Sequence, residues 1–271
     1  MKKNLPQREK NTHKGDYGKV FILAGSEGML GAAILCSRGA LRVGAGLVYL
    51  GVSDKLRDLT NLATPEVIIA GGDRAHDFKD FIKTEAIAIG PGLGKRRGLA
   101  KDLLFELHKR KFSGPIVLDA DGLNAFAGDL AGLKKLDLNL ILTPHPGELA
   151  RLLNRRIEDV QKDRERAALK TAKLLESIVI LKGYRTVIAH PGGKIKVNRT
   201  GNPGMASAGV GDVLCGMIAG LAAQGLSSWE AALSGVYLHG LAGDLAAKKL
   251  GEYSLIASDI VDHIPEAIKR C

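Results

Sequence analysis

Aromatic residues are scarce in this chain, only 4% of 271 residues, with a single tryptophan. That scarcity argues against single-stranded nucleic acid as a partner, because base stacking needs aromatic platforms. The three cysteines, Cys36, Cys215 and Cys271, show no CxxC or CxxH spacing. They read as buried or unpaired thiols of a reducing compartment. No apolar run reaches the length needed to span a membrane. The basic leader MKKNLPQREKNTHKGDYG has no apolar core behind it, so it is not a signal peptide. These absences predict a cytoplasmic protein with no membrane partner. Glutamine is also rare, three residues beside abundant Lys, Arg and Glu, a leaning toward thermophile composition. With no Pro/Ser-rich linker, low-complexity tract or repeat, residues 1–271 read as a single domain behind a short leader, 1–12.

Positive charge and glycine are in excess. The formal net charge is +10, with basic clusters at Lys95 to Arg97, His108 to Lys111 and Arg151 to Arg156. Each lies in or beside a helical segment without interleaved aromatics. The field therefore suits attraction of a polyanionic small substrate better than recognition of nucleic acid. Glycine is densest in TGNPGMASAGVGDVLCG, Thr200 to Gly216, where Gly201, Gly204, Gly209 and Gly211 precede an apolar segment of helical spacing. Glycines at that density cost chain entropy and pack nothing. Their use is to bring backbone N–H groups close to something, and a Gly-x-Gly opening a helix brings free donors and the positive end of the helix dipole to one point. The N–H groups of Gly209, Val210 and Gly211 thus form a candidate anion hole. Asp212 stands beside it, where a bare anion hole would avoid negative charge. A phosphoryl-transfer site with a proton acceptor for an attacking alcohol needs one. The helix N-terminus is expected to stabilise the ionised Asp212 and lower its basicity.

The rest of the chain alternates apolar strands with helices. Val20 to Ser26, LVYLGVS, EVIIAG, Ala86 to Gly94, PIVLDADGLNAF and LILTPHPGELARLL begin as strands, and Ala32 to Val43 and Arg97 to Lys111 are helical. One long helix is expected over Ile157 to Glu176, then strands with a hairpin at Pro191 to Gly193. Helices follow at Val213 to Gln224, Ser228 to Lys249 and Ser258 to Lys269. The pattern predicts an α/β fold, a mostly parallel central sheet with helices on both faces. Ligands of such sheets bind at the carboxyl ends of strands. That edge gathers GSEGMLG, GPGLG, DADGLNA, TPHPGE, KGYRT and TGNPGMASAGVGD into a groove long enough for two sizeable ligands.

Each loop also has a plainer reading. GSEGMLG reads as a tight turn. Asp119 and Asp121 are either a carboxylate pair for metal or acid–base work, or Asp121 caps the helix after it. His145, between two prolines in a strand-end loop, favours function, while Glu148 favours the following helix N-terminus. Lys182 at the end of IVIL, with Gly183 and Arg185, reads as a phosphate or ribose contact. His239 in VYLHG reads as a packed helical histidine.

TGNPGMASAGVGD resembles the signature of the ribokinase-like superfamily, a three-layer fold in which a G-x-G-D loop is the anion hole and its Asp the base. HKGDYGKVFILAGS, GPGLG, VLDADGLNAF, ILTPHPGE, LKGYRTVIA and TGNPGMASAGVGDVLCGMIAGL, in this order, are similar to the ADP-dependent NAD(P)H-hydrate dehydratases from about His13 to the C-terminus. Where Gly-Ser-Gly or Gly-Thr-Gly is common in that family, this chain has Gly209-Val210-Gly211; the backbone donors remain. The epimerase domain many members carry is not expected before His13. The resemblance implies dehydration of (S)-NADHX and (S)-NADPHX with ADP as phosphoryl donor and Mg²⁺ assisting, in a homo-oligomer, often a tetramer. It implies that Ala32, Gly94, His145 and Asp212 contact the hydrate. It also implies that Lys182, Gly183, Tyr184, Arg185, Thr186 and Gly211 hold the adenine nucleotide, and that Asn202 and the N–H groups of Gly209 to Gly211 face the moving phosphoryl group. No metal ligand is assigned, since no dedicated carboxylate cage is visible. A kinase of the same superfamily acting on a vitamin-precursor alcohol shares the G-x-G-D logic, and a non-catalytic nucleotide- or RNA-binding protein is the second rival.

Overall fold

Val20 and Ile22 of β1 (Lys19–Leu23) pack into one apolar core, while Phe21 and Leu23 pack into another on the opposite face. A strand buried on both faces reads as an unbroken apolar run, which is why VFIL shows no polar alternation. The computed structural model describes residues 8–271. After β1 come α1 (Leu30–Arg42), β2 (Leu47–Val52), α2 (Arg57–Ala63), β3 (Ile68–Gly71), β4 (Ala86–Ile89) and α3 (Arg97–Lys109). Then follow β5 (Ile116–Leu118), α4 (Ala120–Asn124), α5 (Leu130–Lys134), β6 (Leu140–Leu142), α6 (Pro146–Leu153), α7 (Ile157–Lys162) and α8 (Arg164–Leu175). The chain closes with β7 (Ile178–Leu181), β8 (Val187–Ala189), β9 (Ile195–Val197), α9 (Val210–Ala223), α10 (Ser228–Leu250) and α11 (Ala257–Arg270).

One nine-stranded sheet has the order β3-β2-β1-β4-β5-β6-β7-β8-β9. All pairs from β3 to β7 are parallel, and β8 and β9 add antiparallel pairs at the edge through the hairpin expected at Pro191 to Gly193. α1, α9, α10 and α11 cover one face and α3 to α8 the other. This is the three-layer sandwich predicted from the alternating pattern. α9 is buried along almost its whole length because it lies between the sheet and the helices α1, α10 and α11. Among the described residues no helix is long and apolar enough to cross a membrane. Cys36 and Cys215 are buried, Cys271 is half-buried, and none is bridged, as their spacing implied.

Two element boundaries differ from expectation. The helix expected over Ile157 to Glu176 breaks at Asp163, whose carboxylate accepts from Arg166 N–H at 2.9 Å and restarts the chain as α8. A short acidic side chain competes with the helix by capping a new N-terminus, and here the cap wins. The helix expected from Val213 begins instead at Val210, so Asp212 lies in its first turn.

Candidate active site

Strand order reverses between β1 and β4: β2 and β3 extend one side of the sheet, β4 to β9 the other. Loops leaving the carboxyl ends of β1 and β4 therefore diverge and open a crevice. They are tied where they part. Gly25 N–H donates to Pro91 O at 2.8 Å, and the Ser26 hydroxyl to Gly92 O at 2.9 Å. The half-buried guanidinium of Arg96 donates to the carbonyls of Gly25 and Gly72, joining the loop after β3 as well. Ala32 lies against Gly92, and Gly94 N–H donates to Asp121 Oδ2 at 2.7 Å. Ala32, which the resemblance assigns to substrate, thus packs against the β4 loop that carries Gly94, the other residue so assigned. Asp121 is spent on holding the Gly94 turn, so the helix-cap reading gives way to a loop-positioning one.

The start of α9 faces the same edge. Gly209 is its N-cap at φ +86°, a left-handed conformation that glycine adopts without strain. No side chain caps the helix, and the first backbone bond runs from Val213 N–H to Gly209 O. The N–H groups of Val210, Gly211 and Asp212 precede that bond, where helix geometry supplies no carbonyl partner. Val210, standing where Ser or Thr is common, is buried, so its side chain serves the core while its backbone faces the site.

Lys182 and the carboxylates around it surround this helix start. Lys182 Nζ lies 2.6 Å from Asp119 Oδ1 and 3.8 Å from Glu148 Oε2. Asp119 and Glu148 are both buried. Burial alone would lower the Lys182 pKa, but Asp119 and then Glu148 outweigh it and push it up to about 12. The ammonium reaches the helix: a Cβ on Gly211 would lie 3.3 Å from Lys182 Nζ and 4.0 Å from Asp119 Oδ2. Asp212 is pushed the other way from expectation. Burial, then the charge of Asp119, with Glu148 and Asp121 adding and Lys182 opposing, raises it to about 7. The expectation of lowered basicity is overturned, because desolvation and carboxylates contributed by other elements outweigh the helix N-terminus. A carboxylate that titrates near neutrality is matched to proton abstraction.

The remaining predicted residues divide between structural and open positions. His145 Nδ1 accepts from Gly147 and Glu148 N–H, and Glu148 Oε2 accepts from His145 N–H at 2.7 Å, a reciprocal cap of α6. Nδ1 being an acceptor, Nε2 carries the proton, and the ring is half exposed beside Glu148. Asn202 Oδ1 accepts from Gly204 N–H at 3.1 Å in its own loop and its Nδ2 donates to Asp244 of α10 at 3.1 Å, so its amide is engaged on both sides. In Lys182 to Thr186, Tyr184 is 85% exposed and Arg185 is left-handed at φ +54°. Underneath, Arg164 donates to the carbonyls of Leu181, Lys182 and Tyr184. Arg164 was invisible in the sequence, where it sits inside a run that reads as one solvated helix; the break at Asp163 turns it inward.

Two hollows lie elsewhere, about 690 Å³ around Trp229 and His190 and about 800 Å³ beside α7 and α8. Neither is lined by a residue of this cluster; chemistry rather than concavity marks the site. Among the described residues no three or more His, Cys, Asp or Glu side chains converge as a metal-binding group.

A poised carboxylate beside free helix N–H groups, at the carboxyl edge of a parallel sheet, is the equipment of a phosphoryl-transfer enzyme. A ribokinase-like superfamily protein from Enterococcus faecalis superposes with TM-score 0.83 at 28% identity, covering 99% of this chain and 93% of that one. The family model described as NAD(P)H-hydrate dehydratase matches residues 20–266, and the chain belongs to that family. The ADP-dependent (S)-NAD(P)H-hydrate dehydratase of Bacillus subtilis is 35% identical over 272 residues, covering 100% of this chain and 96% of its own length. A crystal structure of the ADP/ATP-dependent NAD(P)H-hydrate dehydratase of that organism, co-crystallised with ATP and Mg²⁺, superposes with TM-score 0.84 at 34% identity, covering 99% of this chain and 95% of that one. The bifunctional NAD(P)H-hydrate repair enzyme Nnr of Moorella thermoacetica is 43% identical over 277 residues, 98% of this chain but 52% of its own length. The chain thus spans about half the length of several curated relatives it matches.

Proposed function

We propose that this protein dehydrates (S)-NADHX and (S)-NADPHX at the expense of ADP, yielding NADH or NADPH, AMP and phosphate. The observation that carries the reading is the Asp212 carboxylate, raised to about 7, in the uncapped first turn of α9. Hydroxide at C6 of the hydrated ring is a poor leaving group. Asp212 accepts the proton of that hydroxyl as its oxygen takes the terminal phosphoryl group of ADP, and AMP departs. The lone pair of the ring nitrogen then expels phosphate, and loss of the C5 proton restores the double bond. Charge on the moving phosphoryl group meets the N–H donors of Gly209, Val210 and Gly211, with Asn202 at its flank. Ala32, Gly94 and the His145 ring line the hydrate side. Lys182 to Thr186 and Gly211 take the adenine nucleotide.

Mg²⁺, when bound, neutralises phosphate charge. The described side chains offer it no cage of their own, so no ligand is assigned. ADP as the donor, a homotetramer and a cytoplasmic setting belong to this same proposal. A donor comparison tests it: one hydrate preparation is incubated with ADP and with ATP while the absorbance of reduced nicotinamide is followed. Faster turnover with ADP supports the assignment, and strict dependence on ATP contradicts it.

Two variants test the roles of single residues. Arg164→Ala is expected to weaken ADP binding about tenfold by titration, since two carbonyls of the nucleotide loop, Lys182 and Tyr184, and that of Leu181 at the end of β7 lose charge-assisted bonds. Arg164→Lys restores little, because a point ammonium does not replace a guanidinium fork. Gly211→Ala is expected to keep the fold but lose at least about tenfold in turnover, the new methyl pressing on Lys182 where an anion-hole donor must stay aligned.

A further inference from the structure

α10 reaches the phosphoryl-transfer site from behind at two points. Near the middle of the helix, His239 Nε2 lies 2.9 Å from the carbonyl oxygen of Val210, the first residue of α9. A carbonyl only accepts, so Nε2 is the protonated nitrogen. Burial pulls the ring's pKa down to about 4 against the Val210 bond, with Lys182 adding to the fall, and the imidazole stays neutral in one tautomer. The Val210 carbonyl and the Gly211 N–H belong to one planar peptide unit. A donor fixed on the carbonyl therefore fixes the direction of the Gly211 N–H on the opposite side. It also polarises that peptide and strengthens the N–H as a donor.

Further along α10, Asp244 Oδ2 accepts from Gly201 N–H at 2.9 Å and Oδ1 from Asn202 Nδ2 at 3.1 Å. The Thr200 hydroxyl donates to the carbonyl of Tyr237 at 3.0 Å. Any side chain at Gly240 would collide with Thr200, so the loop lies directly on the helix backbone. One rigid helix thus grips the glycine-rich loop at its entry, through Asp244, and at its exit, through His239.

We propose that His239 and Asp244 are positioning residues of the phosphoryl-transfer site, together setting the spacing between Asn202 and the free N–H groups of α9. The inference rests on the site reading given above. It goes beyond that reading in assigning a task to a histidine and an aspartate that touch neither ligand.

The test compares wild type with His239→Leu, His239→Gln, Asp244→Ala and Asp244→Asn. Kinetics with hydrated NADH and ADP are paired with amide hydrogen exchange over residues 198–206 and 207–214, and with thermal melting. His239→Leu should lose about tenfold or more in kcat with KM for the hydrate changed little, as expected when an anion-hole donor is misaligned. His239→Gln, which keeps a side-chain N–H, should recover most of the loss. Asp244→Ala should speed exchange at Gly201, and Asp244→Asn should do so partly, because its amide turns a donor toward donors. Unchanged kcat and exchange in His239→Leu and Asp244→Ala overturn the inference. So does equal loss in the Leu and Gln variants that merely follows their melting temperatures. If wild type fails to turn over hydrated NADH, the activity reading falls, and exchange alone decides this one: loosening with Leu but not with Gln supports it, and no loosening overturns it.

Discussion

Asp212→Asn is expected to lose at least about a hundredfold in kcat/KM for hydrated NADH, the usual scale for an acid–base residue, while melting higher than wild type at pH 8. Both effects have one cause. Burial and the neighbouring charge of Asp119 hold the folded carboxyl at about 7, against 3.8 as its ordinary value. A raised folded pKa contributes stability that is fully present below the unfolded value and is lost as pH rises through the folded one. Between about pH 4 and pH 7 the wild type therefore loses stability as Asp212 is forced to ionise. Asparagine carries no such cost and should gain on the order of 2–4 kcal/mol at pH 8. The gain should vanish near pH 4, a contrast read by thermal melts at the two pH values. ADP binding is expected to survive, since the backbone donors remain. An inactive but more stable variant separates loss of chemistry from loss of fold.

The second large effect is on the pH dependence. With an ionised Asp212 as base, kcat/KM should fall about tenfold per pH unit below pH 7 and level off above it. Its midpoint belongs to the ADP-bound enzyme before it takes up the hydrate, so the cluster around Asp212 can be read through it. Asp119 raises the Asp212 pKa and Lys182 lowers it. Asp119→Asn should therefore move the midpoint down by about one unit, and Lys182→Met should move it up, within the range that neighbouring charges produce. Rate measurements from pH 5 to 9, at saturating ADP, decide the matter. Opposite displacements follow from the charge cluster; parallel displacements, or none, would show that Asp212 is not the group being titrated.

The reach of the sequence follows from where each signal resides. Apolar strands ending in glycine and polar loops are local patterns, so the sheet, both helical layers and the loops of the carboxyl edge were all legible. The uncapped glycine turn at Gly209 that opens α9 was legible for the same reason, a local pattern with one geometric purpose. The basicity of Asp212 was not. It is set first by burial and then by Asp119, Lys182, Glu148 and Asp121, which the sheet brings together from three other strand ends. Glu148 was read as a helix-terminus residue, and it is one, yet it is also a buried partner of Lys182. Arg164 was hidden by the unforeseen break at Asp163. His239 was read as a packed helical histidine, and it is buried, but its bond to Val210 and the Asp244 bonds to the loop were hidden by α10 itself, whose apolar pattern shows what packs and not what the polar positions grip.

The most direct test of the account mixes purified protein with hydrated NADH, ADP and Mg²⁺, and follows reduced-nicotinamide absorbance together with AMP and phosphate. Absorbance should return only with nucleotide present, AMP and phosphate should appear in equal amounts with the NADH formed, and all three should slow at least about a hundredfold in Asp212→Asn. Phosphoryl transfer to a small alcohol with no return of absorbance would contradict the account, and so would a return that needs no nucleotide.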